Sequence, residues 1–138
     1  MTMKDADCIF CRIIDGTIPS NTIYEDDSYK VILDNGPATK GHALILPKDH
    51  YRNFYDIPEE TAVGAFRLAK KLMTKMTDVL AADGFHILQN NNEAADQSVF
   101  HYHMHLIPRY KGDQGVLGYK PLSVSPEELA SVKDALTK

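Results

Sequence analysis

From Phe100 to Pro108 the chain reads Phe-His-Tyr-His-Met-His-Leu-Ile-Pro, with a histidine at every second position from 101 to 105. Successive side chains of an extended strand point to opposite faces. The pattern predicts a strand over Val99–Pro108. His101, His103 and His105 share one of its faces, about 7 Å apart from one to the next. Phe100, Tyr102, Met104 and Leu106 share the other and give a helix something to pack on. Packing does not need the imidazoles, and their mutual repulsion when protonated opposes folding, so the spacing points to chemistry. Neutral imidazole is a common metal ligand. It is also a nucleophile that can carry a covalent intermediate. The spacing alone leaves both open.

The helix that could cover the apolar face follows Asp56. Asp56 and Glu59 have capping-box spacing, with Pro58 inside the first turn. Val63, Phe66, Ala69, Leu72 or Met73, Met76 and Val79 or Leu80 follow a 3.6-residue period, which predicts a core-facing stripe ending before Gly84. Its methionines read as packing residues. Upstream, Asp7 is placed to cap a short helix, Cys8–Ile14, with Gly16 in the left-handed position that ends it. Thr22–Glu25 and Tyr29–Leu33 are β-prone runs joined by Asp26-Asp27-Ser28, a hairpin. Gly41 opens a third strand, His42–Leu46, closed by Pro47. Phe85–Asn90 reads as a fourth strand, Asn91–Ser98 as a polar loop, and Ser125, Pro126 and Glu128 start a last helix toward Leu136. Hairpins with few strand–helix alternations predict an α+β domain: a five-stranded, mostly antiparallel sheet packed by the long helix. With 138 residues and no repeat or low-complexity tract, one domain over 1–138 is expected.

Charge narrows the partners. Fifteen basic residues face nineteen acidic ones, and no basic stripe is visible, which argues against a nucleic acid polymer. Small phosphorylated ligands remain open, because backbone amides hold them without net charge. Apolar runs such as Ala43–Leu46 are too short to span a membrane. Met1–Asp5 lacks an apolar signal core, so a cytoplasmic protein is expected. There Cys8 and Cys11 would remain thiols or bind metal rather than pair. Cys-x2-Cys alone fits a redox pair, a metal half-site or two inert thiols. A tetrahedral zinc would need two more ligands, for which His50 and His101 are candidates. His86 reads as a half-buried polar residue. The loop Gln89–Ser98 leads straight into the histidine strand, and its amide and hydroxyl groups could hold a phosphate oxygen or sugar hydroxyl beside the imidazoles.

The segment His101-Tyr102-His103-Met104-His105-Leu106-Ile107 resembles the signature of the histidine triad family, in which three histidines alternate with apolar residues. Asp7–Ile14, Ile18–Ser20, Tyr24–Asp27, Gly41–Lys48 and Ile107–Tyr110 match in the same order, so the resemblance covers roughly residues 7–111. The chain is similar to the nucleoside phosphoramidate hydrolases of the family and their bacterial relatives. The resemblance implies a homodimer in which two five-stranded sheets join into a ten-stranded one. It implies attack by a histidine on the α-phosphorus of a purine nucleotide conjugate, an AMP-amine phosphoramidate or a dinucleoside polyphosphate. Carried over, His103 is the nucleophile, His105 contacts the phosphate, His42 completes the cluster, and Ser98 lies near the leaving group. Gln97 and Asn90 fall on the phosphate side, and Asp34 on the ribose. In zinc-containing relatives the ligand positions match Cys8, Cys11, His50 and His101, which implies a structural zinc and no metal in catalysis.

Two positions depart from the pattern. The family usually carries glycine where this chain has Asn92, and again before the glutamine, where it has Asp96. Glycine permits close backbone approach to a phosphate. An inward carboxylate about 6 Å from a phosphate, at an effective dielectric of about 20, would repel it by a few kcal/mol. The alternative expectation is therefore a nucleotide-binding module with weak or no turnover.

Overall fold

The computed structural model describes residues 4–113 and 121–138. Its element order is α1 (Ile9–Ile14), β1 (Thr22–Glu25), β2 (Tyr29–Leu33), β3 (Ala43–Pro47), α2 (Glu59–Leu80), β4 (Gly84–Leu88), β5 (Met104–Arg109) and α3 (Pro126–Leu136), with a 3-10 turn at Glu93–Ala95. The five strands form one sheet in the order β1-β2-β3-β5-β4. Every pairing is antiparallel. No helix among the described residues is long and apolar enough to cross a membrane.

Both faces of the sheet's central strands are covered, which explains why β2 and β3 are nearly continuous apolar runs. On one face Tyr29, Val31, Ile45, Met104 and Leu106 pack against Ala62, Ala65, Leu68, Ala69, Leu72 and Met76 of α2. The alanines let the helix lie close to the sheet. On the other face Ile32, Leu44 and Leu46 pack against Phe10, Ile13 and Ile14 of α1. Lys30 is buried on this side, and its Nζ donates to the Ile13 carbonyl at 3.1 Å. The same carbonyl, at the end of α1, also accepts from the Gly16 amide at 3.2 Å.

Several expected details change. The buried stripe of α2 runs through residues 62, 65, 69, 72 and 76, whereas Val63, Phe66 and Val79 are exposed. The alanines carry little hydrophobic signal, so the larger residues beside them pulled the expected stripe off centre. Pro58, not Asp56, is the N-cap of α2 and has no side-chain capping bond. Asp56 instead accepts from the Asn53 and Arg52 amides. Helix α1 is capped by the Cys8 sulfur, which accepts from the Cys11 amide, rather than by Asp7. The capping box of α3, Ser125 with Glu128, forms as the spacing predicts.

The largest correction concerns the histidine strand, which begins at Met104 rather than Val99. Its neighbour β3 ends at Pro47, and the Pro47 carbonyl accepts from His101 Nε2 at 2.8 Å. The Tyr102 amide donates to the Tyr51 carbonyl at 2.7 Å. Backbone at 101–103 is thereby drawn out of the sheet. Tyr102, Met104 and Leu106 still all enter the core on the α2 side.

Candidate functional site

Early departure from the sheet splits the three histidines into two groups. His103 and His105 stay together, with ring centroids 5.0 Å apart. His42, at the start of β3, stands 5.1 Å from His105. His101 turns toward a separate cluster, with its ring centroid 5.0 Å from that of His50.

Hydrogen bonds to the backbone fix the tautomers of the first group. A backbone amide can only donate, and a carbonyl can only accept. Ala38 N–H donates to His42 Nδ1 at 2.9 Å, so neutral His42 carries its proton on Nε2. That proton points at His105 Nδ1, 2.9 Å away. His105 therefore accepts at Nδ1 and keeps its proton on Nε2. His103 Nδ1 donates to the His101 carbonyl at 2.7 Å, which leaves the lone pair on its Nε2. One imidazole offers a lone pair and its neighbour offers an N–H. Asp34 lies with Oδ2 3.5 Å from His42 Nε2. It is held there because its amide donates to the His42 carbonyl, continuing the β2–β3 ladder.

All three rings are biased toward the neutral form. Burial pushes His105 down to about 4, helped by the neighbouring His103 and His42. Burial also lowers His103, against the opposing pull of its bond to the His101 carbonyl and of Asp34. His42 is lowered by burial and partly restored by Asp34.

The cluster opens into a cavity of about 290 Å³ bordered by His103, His105, Asp34, Asn90, Ser98 and Asp96. Its apolar wall is formed by α1, β2 and β3, with Phe10, Ile32 and Leu44 among the side chains. Phe10 stands edge-on to His103 at 5.0 Å between centroids. Its position on α1 gave no sign of this contact. Gln97 does not border the cavity. It is 3% exposed, and its amide is taken up inside the protein by Arg52, Val99, Asn53 and Asn92. His86, on β4, is half-buried, and its Nδ1 has no partner among the described residues.

The second cluster gathers Cys8, Cys11, His50 and His101, with one donor atom from each lying within 4.8 Å of the others. His101 Nδ1 is 3.4 Å from Cys8 Sγ and 3.5 Å from Cys11 Sγ. His50 Nδ1 is 3.4 Å from Cys11 Sγ and 3.2 Å from His101 Nδ1. A tetrahedral zinc with bonds of about 2.0 Å to nitrogen and 2.3 Å to sulfur needs edges of roughly 3.3–3.8 Å. These four edges, 3.2–3.5 Å, fit that polyhedron, and the other two lie within 4.8 Å. His101 is locked in the required tautomer, since Nε2–H donates to Pro47 and Nδ1 faces inward. Asp5 lies 3.9 Å from His50 Nε2, a carboxylate behind an imidazole of the cluster. Burial pushes the Cys11 thiol up to about 11, and a cation would supply the charge that lets it ionise.

Comparison with known proteins agrees with this geometry. A family model described as the HIT domain matches residues 15–112. A crystal structure of a HIT family member from Bacillus subtilis superposes with a TM-score of 0.83 at 42% identity, covering 94% of each chain. A zinc-bound histidine triad protein from Mycobacterium smegmatis does so with a TM-score of 0.78 at 36% identity, covering 94% of this chain and 97% of its own. Adenosine 5'-monophosphoramidase hnt1 of Schizosaccharomyces pombe is 33% identical over 131 residues, 94% of this chain and 96% of its own. Matched by that domain over most of its length and by these relatives nearly end to end, the chain belongs to the HIT, or histidine triad, family.

Proposed function

We propose that this protein hydrolyses purine nucleotide conjugates at the α-phosphate through a nucleotidyl intermediate on His103, with AMP-amine phosphoramidates and dinucleoside polyphosphates as the substrate class. The observation that carries the reading is the 2.7 Å bond from His103 Nδ1 to the His101 carbonyl. It leaves Nε2 as a lone pair on a ring that borders the cavity. Attack forms the N–P bond and makes the ring cationic, and the same carbonyl then stabilises that charge. The bond from phosphorus to the leaving group breaks, and the leaving group takes the electron pair. Ser98, at the cavity rim, passes it a proton and regains one from water. His105 donates Nε2–H to the phosphoryl oxygens as their charge grows. The water that gave Ser98 its proton attacks phosphorus as hydroxide, the N–P bond breaks with its electron pair returning to His103 Nε2, and AMP departs. Asp34 would take the ribose hydroxyls and Asn90 the phosphate, a division supported by both bordering the cavity. Gln97 serves the phosphate side from behind, through the loop that it holds. The relative named as an AMP phosphoramidase supports this substrate class.

Cys8, Cys11, His50 and His101 would hold a zinc whose four protein ligands leave no position for water, a structural ion. The assembly would be a homodimer. Strand β4 is a sheet edge, and beside it Phe66, Met73 and Ile87 form an exposed apolar depression, the kind of patch a partner copy covers. The cytoplasm is the compartment that would keep Cys8 and Cys11 reduced as ligands for that zinc.

Rapid quenching with an AMP phosphoramidate labelled in the phosphate tests the reaction. Label should appear on the wild-type chain and be absent from His103→Ala. Full rate in His103→Ala would end the proposal. A second reading rests on Asp96, a residue that borders the same cavity: nucleotide binding with slow turnover. It predicts binding by calorimetry without AMP release.

A further inference from the structure

Asn53 is 2% exposed, follows the metal-type ligand His50 by three residues, and takes no part in either histidine cluster. Its surroundings fix its orientation. Gln97 Nε2 donates to the Arg52 and Val99 carbonyls at 2.8 and 3.0 Å, so Gln97 Oε1 faces the other way. There it accepts from the Asn92 amide at 2.8 Å and from Asn53 Nδ2 at 3.2 Å. Asn53 Nδ2 also donates to Asn92 Oδ1 at 3.0 Å, while Asn53 Oδ1 accepts from the Tyr55 amide at 3.0 Å. Asn53 thus joins the turn after His50 to the loop that brings Asn90 and Ser98 to the cavity.

That loop needs an anchor. Asn92 sits at φ 72°, ψ 166°, and Asp96 at φ 66°, ψ 23°. L-residues visit these regions sparsely, and the first is almost confined to glycine. Such a conformation persists only where the surroundings over-determine it. The Asn53–Gln97–Asn92 amide cluster is one group of bonds that does so, beside the Ala95 and Gln97 amides that donate to the Asn92 carbonyl.

We propose that Asn53 is a positioning residue: it holds Asn92 in a glycine-like conformation and so keeps Asn90 and Ser98 at the reacting phosphate. The kinetic side of this assignment rests on the reaction proposed above. Its distinctive consequence is a rescue. Glycine at 92 adopts the same backbone without an anchor, and it removes the Asn92 oxygen that loss of Asn53 would leave unbonded.

The experiment compares Asn53→Ala, Asn92→Gly and the double variant in the full chain. Turnover of adenosine 5'-phosphoramidate and amide hydrogen exchange at residues 92 and 97 are both read. Asn53→Ala should lower kcat by about tenfold or more, with a smaller change in KM, since small displacements of aligned groups cost rate steeply. Exchange at 92 and 97 should speed up in parallel. Asn92→Gly alone gives the reference rate to which the double variant should return. The double variant should recover most of the lost kcat. Unchanged kcat in Asn53→Ala, or a double variant no faster than Asn53→Ala, would overturn the assignment. Should Asn53→Ala not fold, Asn53→Asp keeps the shape and the Tyr55 bond, loses both donated bonds, and should show the same rescue. If wild type does not turn over the phosphoramidate, the reaction is wrong. Exchange still decides the anchor in that case: unaltered protection at 92 and 97 in the Asn53 variant refutes it, and faster exchange reversed by Asn92→Gly upholds it.

Discussion

The carbonyl of His101 accepts from His103 Nδ1 at 2.7 Å, while the ring of the same His101 belongs to the cysteine–histidine cluster. One residue thus ties the metal-type site to the orientation of the proposed nucleophile. A metal there would act on catalysis through the backbone and not on the substrate.

Zinc content and zinc removal should therefore separate two effects. Purified protein should carry one zinc per chain, as read by elemental analysis, and Cys11→Ser should lose it. Chelation should lower Tm, because metal binding at such a cluster is folding free energy. Protein that is stripped but still folded should keep a measurable rate, reduced because the His101 carbonyl is less firmly held. Complete loss of turnover with the fold intact, restored by zinc alone, would mean that the metal reacts and His103 does not.

The bond from His42 Nε2 to His105 Nδ1, at 2.9 Å, makes a prediction about tautomers. Without it, His105 can turn its lone pair toward the phosphate instead of its N–H. His42→Ala should lower kcat by about 10²-fold, the scale of a lost proton-donor role. His42→Gln retains an N–H near the same point and should recover part of the loss. Equal activity in the two variants would show that the proton on His105 is not what His42 governs.

Acid should affect rate and stability through the same neutral rings. Burial holds His103 below its ordinary value, so the acid fall of kcat/KM should be centred at a lower pH than the titration of an ordinary histidine. Stability follows His105. Its folded value is about 4, whereas an unfolded histidine titrates near 6.5. On acidification the unfolded chain takes up that proton first. Stability is therefore full above about 6.5, drains as pH falls toward about 4, and changes no further from this group below that. The total is on the order of a few kcal/mol. Urea midpoints between pH 7.5 and 4.5 should fall less steeply in His105→Gln than in wild type. Parallel slopes would place the acid sensitivity elsewhere.

Period and turn chemistry made much of the architecture legible before any coordinates. The hairpin over Thr22–Leu33 and the Ser125 capping box form where the residues indicate. What failed was local and had a physical cause. Alanines on α2 make close approach without a strong hydrophobic signal, so Val63 and Phe66 looked like core. The alternation at 101–105 looked like one uninterrupted strand, because nothing near it in sequence reveals that His101 bonds the Pro47 carbonyl, 54 residues away. That bond separates the imidazoles into two sites. Asn53 carried no signal at all, since an asparagine in a polar turn looks the same whether solvated or buried.

Gly64 supplies a test of how closely α2 lies on the sheet. Replacing an interior helix glycine with alanine ordinarily stabilises by about 1 kcal/mol. Here a Cβ at 64 would land on the Tyr29 hydroxyl and 3.0 Å from Cζ of that ring. The ring has little freedom to yield, because Tyr29 Oη donates to the Thr61 carbonyl at 2.6 Å and the side chain is buried in the core. Gly64→Ala should therefore destabilise by about 1–3 kcal/mol, the range for overpacking. Adding Tyr29→Phe removes the atom struck first, so the double variant should lose less than the sum of the two single losses. A double-mutant cycle by urea denaturation reads the coupling directly. Additive losses, or a more stable Gly64→Ala, would show that the helix can move off the sheet at this point.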